Sequence, residues 1–247
     1  MRQAMLFAAG LGTRLRPLTD NMPKALVRVG EKPLLQLMLE KLHRSGFEHV
    51  VVNVHHFPDQ IIDFINNHAY EGMTVSVSDE REALLETGGG LRKAATLFDG
   101  SSHVLIHNVD ILSNADLVDC YDKALEHDAL LVVSQRETSR YLLFDDDMRL
   151  VGWTNVKTGE VKTPYDNLDV TRCKRLAFSG IHVMSPELMD RMKTWQDRFG
   201  IIDFYLDQCD KADIRALALP DLHLLDVGKI DSLAEAQRFL KDLSRHS

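Results

Sequence analysis

A short apolar run near the amino end of the chain, residues 5–9, leads directly into a glycine-rich and basic segment. The glycines and cations of that segment are Gly10, Gly12, Arg14, Arg16 and Lys24. An apolar run that ends in glycine is typical of a buried strand followed by a tight loop. Glycines let backbone N–H groups approach an anion, and nearby cations neutralise its charge. The pattern therefore predicts a phosphate-binding loop after the first strand.

Two familiar phosphate-binding signatures are absent from this loop. Gly10-Leu11-Gly12 lacks the third glycine of the dinucleotide-binding fingerprint, and the Walker sequence does not occur. An ordinary strand-to-helix turn is therefore the alternative for the two glycines alone. The cations favour the anion site, because three neighbouring positive charges repel one another unless an anion or an acidic partner lies among them.

Composition excludes several classes of protein. The 247 residues carry a formal net charge of -8, which argues against a general binder of nucleic acid or of anionic membranes. No segment approaches the length of a membrane span, and the first apolar run is too short for a signal peptide. The three cysteines, Cys120, Cys173 and Cys209, lack the spacing of metal ligands. We therefore expect a cytoplasmic protein without nucleic-acid or membrane partners.

Apolar runs and helical periodicities alternate along the chain and favour one α/β domain with a mostly parallel sheet. Strands are predicted over residues 5–9, 50–54, 73–77, 104–109, 129–134, 174–184 and 222–227. Helices are predicted over 33–45, from Pro58, over 88–98, from an Asn114 cap to about 126, and over 186–195 and 232–243. Turn residues at 145–147 and 159 predict added antiparallel hairpins between 141 and 161.

The first segment resembles a known signature. Residues 8–19 read A-A-G-L-G-T-R-L-R-P-L-T, residues 23–26 read P-K-A-L, and together they are similar to the pyrophosphorylase signature of sugar-1-phosphate nucleotidylyltransferases. The resemblance continues through residues 32–34, 51–56, 86–90, 108–110, 178–180 and 226–228, and it is weakest over 136–172. It implies a single-domain, Rossmann-like (GT-A-like) three-layer sandwich. The nucleotide half would span about 1–135, and the sugar-phosphate half about 136–247.

The resemblance also implies a reaction. Members of the family transfer a nucleotidyl group from a nucleoside triphosphate to a sugar 1-phosphate and release pyrophosphate. Two polyanions must meet, which calls for a divalent metal, fixed cations and positioning rather than a covalent nucleophile. Asp110 and Asp226 each end an apolar strand and resemble the metal-binding carboxylates of the family; oxygen ligands suit Mg²⁺. The alternative for each is an aspartate that caps a turn.

The remaining site residues are carried over position by position. Arg14 would hold the β- and γ-phosphates and Lys24 would contact phosphate at the reacting centre; the alternative for both is a solvated surface cation. The residues expected to bind the nucleotide are Ala8, Ala9, Gly10, Gly12, Thr13, Arg14, Glu86, Thr87, Gly88 and Asn108. Residues 88–90 would expose backbone N–H groups at a helix start; the alternative is a flexible helix start without a ligand. Gly180 and Asp110 would contact the sugar, although a glycine within a strand also permits close approach of a neighbouring chain.

The chain departs from the family pattern at two positions. Val109 stands where the family commonly has glycine and would narrow the nucleotide pocket, and Lys229 stands where threonine often follows Asp-Val-Gly. Adjacent His55 and His56 point to opposite faces of a strand, so they predict no metal site.

Within the family, the resemblance is greatest to N-acetylmuramate-1-phosphate uridylyltransferases. Mannose-1-phosphate guanylyltransferases show the second greatest resemblance, and small phosphocholine cytidylyltransferases share the first signature. A catalytically silent homologue that binds nucleotide sugars is the alternative of another class. Intact Arg14, Lys24, Asp110 and Asp226 argue against it. The oligomeric state stays open.

Overall fold

The computed structural model describes residues 1–243. The strands are β1 (Gln3–Phe7), β2 (Arg28–Val29), β3 (Lys32–Pro33), β4 (His49–Val54), β5 (Thr74–Asp79), β6 (Val104–Asn108), β7 (Ile111–Ser113), β8 (Ala129–Ser134), β9 (Arg140–Phe144), β10 (Leu150–Asn155), β11 (Glu160–Lys162), β12 (Lys174–Met184), β13 (Ile214–Ala218) and β14 (Leu224–Asp226). The helices are α1 (Leu34–Arg44), α2 (Pro58–Asn66), α3 (Glu86–Ala94), α4 (Leu117–Ala124), α5 (Pro186–Arg191), α6 (Ile201–Gln208) and α7 (Asp231–Leu243).

One large mixed sheet organises the molecule. Strands β5, β4, β1 and β6 lie side by side and run parallel. Strand β12 then pairs antiparallel with β6 and β8, and β13 pairs parallel with β8. Antiparallel strands β9, β10 and β11 extend the sheet beyond β12. The prediction of a mostly parallel central sheet with added antiparallel hairpins is confirmed.

Helices cover both faces of this sheet because its strands are apolar on both sides. In β1, Ala4 and Leu6 pack into one hydrophobic cluster, whereas Met5 packs into the other. This is the period-2 alternation of a strand that is buried on both faces. The first cluster takes buried side chains from α1, α2, α4 and α7, and the second takes them from α3, α5 and α6. The three-layer sandwich is therefore confirmed.

Several elements differ from the predictions. The cap of α4 is Asp116, whose side chain accepts hydrogen bonds from Val118 N and Asp119 N. Asn114, the predicted cap, instead bonds to the segment before β14: its Nδ2 donates to Asp221 O, and its Oδ1 accepts from His223 N. Helix α6 and strand β13 were not predicted. No helix within residues 1–243 is long and apolar enough to cross a membrane.

Candidate functional site

The carboxyl ends of β1, β4 and β6 meet at one edge of the sheet, because the three strands are neighbours and parallel. Ligand sites in open α/β sheets lie at this edge. A cleft of about 420 Å³ opens there. Its lining consists of Phe7, Ala8, Ala9, Gly10, Lys24, Asn53, Leu84, Glu86, Thr87, Asn108, Val109 and Asp110. Most of the predicted site residues are thus brought together around a single cavity.

The long loop after β1 folds back on itself at Gly12. Thr19 Oγ1 donates a hydrogen bond to the Gly12 carbonyl over 2.8 Å. Gly12 has φ of 63°, and a Cβ there would lie 2.8 Å from Thr19 Cγ2 and 3.0 Å from Lys24 Cβ. Only glycine fits this conformation and spacing. The turn explains how Lys24, fourteen positions after Gly10, reaches the same cleft.

Lys24 and Asp110 form an ion pair inside the cleft. Their side chains are only 12% and 18% exposed, so water screens the pair weakly. Asp110 follows the end of β6, where Val109 N donates to Phe7 O over 3.2 Å and ties that end to β1. The two charges predicted to act on phosphate and metal are therefore in contact.

Backbone pairing brings Asp226 close to Asp110, although the two residues are far apart in sequence. Strand β14 pairs antiparallel with β7, which starts one residue after Asp110, and Val227 N donates to Asp110 O over 2.8 Å. The Asp226 carboxylate faces Arg14 across 3.9 Å, and both side chains are about half exposed. A Cβ at Gly228 would lie 2.6 Å from Arg14 Nη2 and from Asp226 Oδ1. The glycine therefore leaves room for this second pair.

The two carboxylates determine which metals the site suits. Within residues 1–243, no group of three or more His, Cys, Asp or Glu side chains is arranged to hold an ion. Mg²⁺ commonly takes only one or two carboxylates from a protein and fills its other positions with phosphate oxygens and water. Asp110 and Asp226 fit that donor set.

The glycine cluster 88–90 has a different role from the predicted one. Gly88 N and Gly89 N both donate to the Phe199 carbonyl, over 2.9 and 3.2 Å. All three glycines are buried inside α3, which begins at Glu86. The expectation that this cluster exposes its N–H groups to a ligand is therefore wrong. The N–H groups of Gly88 and Gly89 bind the segment before α6, and the lack of side chains on these glycines lets that segment lie close to α3.

Glu86 and Thr87, just before the glycines, line the cleft. Glu86 adopts φ of 63°, and its carboxylate accepts from Arg198 Nε over 2.9 Å. Thr87 Oγ1 accepts from Ile201 N over 2.9 Å. This wall of the cleft is thus positioned by residues more than a hundred positions later in the chain.

Gly180 lies behind the cleft rather than in its lining. Its φ is +77°, and a Cβ there would lie 2.7 Å from Asn108 Nδ2. The close approach of Asn108 is therefore enough to require glycine at this position, and no ligand is needed to explain it. Asn108 itself lines the cleft, so contact between Gly180 and a sugar stays a prediction.

Two buried polar residues of the site were not predicted. Asn53 Oδ1 accepts from Ala8 N over 2.8 Å, and Asn53 Nδ2 donates to Glu80 Oε1 over 2.7 Å. Glu80 Oε2 also accepts from Leu85 N over 3.2 Å. Glu80 thus connects the first glycine loop to the segment before α3. The signal in the sequence is the single polar residue inside the apolar run that forms β4.

Burial raises the pKa of Glu80 above its ordinary value. The folded state therefore holds the Glu80 proton at pH values where the unfolded chain has lost it, so this contribution to stability falls as pH rises from about 4.5 through the folded pKa. We expect the free energy of unfolding of the native chain to fall over that range relative to Glu80→Gln, which does not titrate. Urea titrations at pH 4.5, 5.5 and 7 would measure the difference. A difference that grows in favour of the native chain as pH rises would contradict the expectation.

Comparison with known proteins agrees with the fold. The family described as nucleotidyl transferase matches residues 3–242. An N-acetylmuramate alpha-1-phosphate uridylyltransferase of Caulobacter vibrioides is 35% identical over 75% of this chain and 76% of its own length. A probable mannose-1-phosphate guanylyltransferase of rice is 26% identical over 77% of this chain and 52% of its own length. The crystal structure of HddC from Yersinia pseudotuberculosis with GMP-PN superposes with a TM-score of 0.76 at 21% identity, over 97% of this chain and all of that one. With a family match across nearly all of its length, the chain belongs to the nucleotidyl transferase family.

Proposed function

We propose that the protein transfers the uridylyl group of UTP to N-acetylmuramate 1-phosphate and releases pyrophosphate. The observation that carries the reaction type is the Lys24–Asp110 pair inside the cleft, with Arg14 and Asp226 paired beside it. The choice of base and sugar is supported by the relative that shares 35% identity, which bears the name of that activity.

The reaction needs charge neutralisation rather than a nucleophile from the protein. An oxygen of the acceptor phosphate attacks the α-phosphorus of UTP, a new P–O bond forms, and the bond to the β-phosphate oxygen breaks. The acceptor oxygen is already ionised at neutral pH, so no side chain has to remove a proton. Lys24 is fixed in the cleft before substrate arrives, which makes its charge effective against the developing phosphate charge.

Arg14 suits the leaving group. It lies at the exposed side of the site, 58% accessible, and its partner Asp226 is 3.9 Å away. A pair this open is weak in water, so Arg14 can exchange Asp226 for phosphate oxygens at little cost. Guanidinium also binds phosphate through two parallel hydrogen bonds. We assign Arg14 to the β- and γ-phosphates that leave as pyrophosphate.

Asp110 and Asp226 would hold Mg²⁺, which supplies charge neutralisation and orientation of the phosphates when bound. The backbone hydrogen bond between Val227 and Asp110 fixes the two segments that carry these carboxylates. Lys24 holds the Asp110 carboxylate through its ion pair, and Arg14 faces the Asp226 carboxylate until phosphate oxygens replace it.

A panel of substrates tests the proposal. Pyrophosphate release would be measured with each of the four common nucleoside triphosphates against several sugar 1-phosphates, with Mg²⁺ and with EDTA. We expect the highest kcat/KM with UTP and N-acetylmuramate 1-phosphate, and loss of turnover in EDTA. Preference for GTP with mannose 1-phosphate would instead favour the guanylyltransferase alternative, which the rice relative supports. Nucleotide binding without release in any combination would contradict both and indicate a silent homologue.

A further inference from the structure

A second cavity, of about 540 Å³, lies between the added hairpins and α6. Strands β9, β10 and β11 provide one side, and Phe178 of β12 and two turns of α6 provide another. The segment between β8 and β9 completes the lining with Arg136 and Thr138. Most of the lining falls within residues 136–172, where the sequence matches the family signature least. Its chemistry must therefore be derived from the side chains themselves.

Two links join this cavity to the cleft. Phe178 lines the cavity, and Gly180, two residues later, abuts Asn108 in the lining of the cleft. Two residues of chain span at most about 7 Å. Thr87 of the cleft accepts a hydrogen bond from Ile201 N, and the next residue, Ile202, lines the cavity. A sugar whose phosphate reaches Lys24 and Asp110 would therefore extend its ring substituents toward this cavity.

Some of the charged side chains around the cavity are paired with an opposite charge and others are not. Lys162 Nζ lies 3.2 Å from Asp203 and 5.4 Å from the centre of the Trp153 ring, so its charge is already satisfied. Arg136 donates to the Phe178 carbonyl over 3.0 Å, and Arg140 lines the cavity as well.

Within residues 1–243, neither of these guanidinium groups forms an ion pair with a carboxylate. The remaining acidic side chain of the lining, Glu160, forms none either. Two unpaired guanidinium groups against one carboxylate leave a positive excess.

We propose that this cavity binds a carboxylate on the acceptor sugar, in addition to its phosphate, and that Arg136 and Arg140 are the binding residues. The inference rests on the proposed function. Guanidinium recognises carboxylate through two parallel hydrogen bonds, which a neutral sugar substituent cannot replace. Trp153 and Phe178 offer flat apolar surface against which the sugar and its alkyl substituent can pack.

Two acceptors separate this property from general sugar binding. N-acetylmuramate 1-phosphate carries an ether-linked lactyl carboxylate, and N-acetylglucosamine 1-phosphate lacks only that group. The kcat/KM of both would be measured with saturating UTP for the native chain, Arg140→Gln and Arg136→Gln. Lys157→Gln is the matched control, because Lys157 is an exposed cation in the turn between β10 and β11 outside the lining.

We expect the native chain to favour the carboxylated acceptor by at least about tenfold. Arg140→Gln should lower kcat/KM for that acceptor by about tenfold to a hundredfold and leave the neutral acceptor within about twofold. Arg136→Gln should lower kcat/KM for the carboxylated acceptor by about tenfold more than for the neutral one. Lys157→Gln should change neither. Since Arg136 also holds the Phe178 carbonyl, Arg136→Lys, which retains the charge, should recover part of the preference.

Three results would overturn the inference. They are an equal loss on both acceptors, a native preference for the neutral acceptor, and a preference that survives in both arginine variants. Failure of the proposed function has a different signature: the native chain would then release no pyrophosphate with UTP from either acceptor.

Discussion

Replacing Lys24 by methionine is expected to lower kcat/KM by about 10²–10³, the usual effect of losing one preorganised electrostatic donor. Methionine keeps the unbranched apolar stem and removes only the charge. The Asp110 carboxylate then lies only 18% exposed without its partner and repels the incoming phosphates. Steady-state pyrophosphate release with UTP and N-acetylmuramate 1-phosphate would measure the loss.

The matched control is Lys123→Met on α4. Lys123 Nζ lies 2.7 Å from Asp119, but both side chains are about half exposed, and such surface pairs contribute little. We expect its kcat/KM to stay within about twofold of the native value. A second check is the double variant Lys24→Met/Asp110→Asn, which should lose little beyond the larger single effect, because residues that act as a unit are not additive. Retention of more than a tenth of native activity by folded Lys24→Met would rule out the assigned role.

The site edge could be predicted from sequence because its signals are local. Each strand that meets the cleft is an apolar run, and each run ends in glycine, asparagine or aspartate within a few residues. Parallel pairing then brings those ends to one edge whatever the details of the loops. Local signals do not explain the position of Lys24, because the turn at Gly12 and Thr19 is what brings it back to Asp110.

Contacts between distant segments could not be predicted in this way. The buried hydrogen bond between Asn53 and Glu80 joins β4 to the residue that follows β5. Asn53 is marked locally only as a polar residue within an apolar run, and nothing local marks Glu80 as its partner. Asn114 and Asp116 are both good helix caps, and the choice between them depended on the bonds that Asn114 makes with the segment before β14. Helix α6 was missed because much of its surface is apolar and buried, which removes the polar face that helical periodicity relies on.

The glycines of α3 show the same limit most clearly, because their partner lies more than a hundred residues away. Their sequence, three glycines after Glu-Thr, is compatible with a ligand loop and with tight packing alike. In the fold, a Cβ at Gly88 would lie 2.2 Å from the Phe199 ring, and one at Gly89 would lie 2.2 Å from the Asp197 carbonyl oxygen. The space is therefore occupied by protein.

Gly89→Ala is accordingly expected to destabilise the fold, against the local preference of a helix. Alanine favours a helix interior over glycine by about 1 kcal/mol, so propensity alone predicts stabilisation. The Asp197 oxygen belongs to the backbone and cannot move aside as a side chain can, so α3 must shift from the segment before α6. We expect a net loss of about 2 kcal/mol or more and a fall in Tm of about 4–8 °C.

Whether Tm falls or rises in Gly89→Ala shows whether these positions are glycine because of packing or because of ligand binding. Thermal unfolding would be compared with Gly10→Ala, where φ is not positive and a Cβ would meet nothing within 4 Å, so its Tm should stay within about 1 °C. Asp197→Ala should not rescue Gly89→Ala, because the contact is with a main-chain atom that alanine retains. If Gly89→Ala instead raised Tm while weakening UTP binding, the cluster would be a ligand loop, and Phe199 would have to leave it when nucleotide binds.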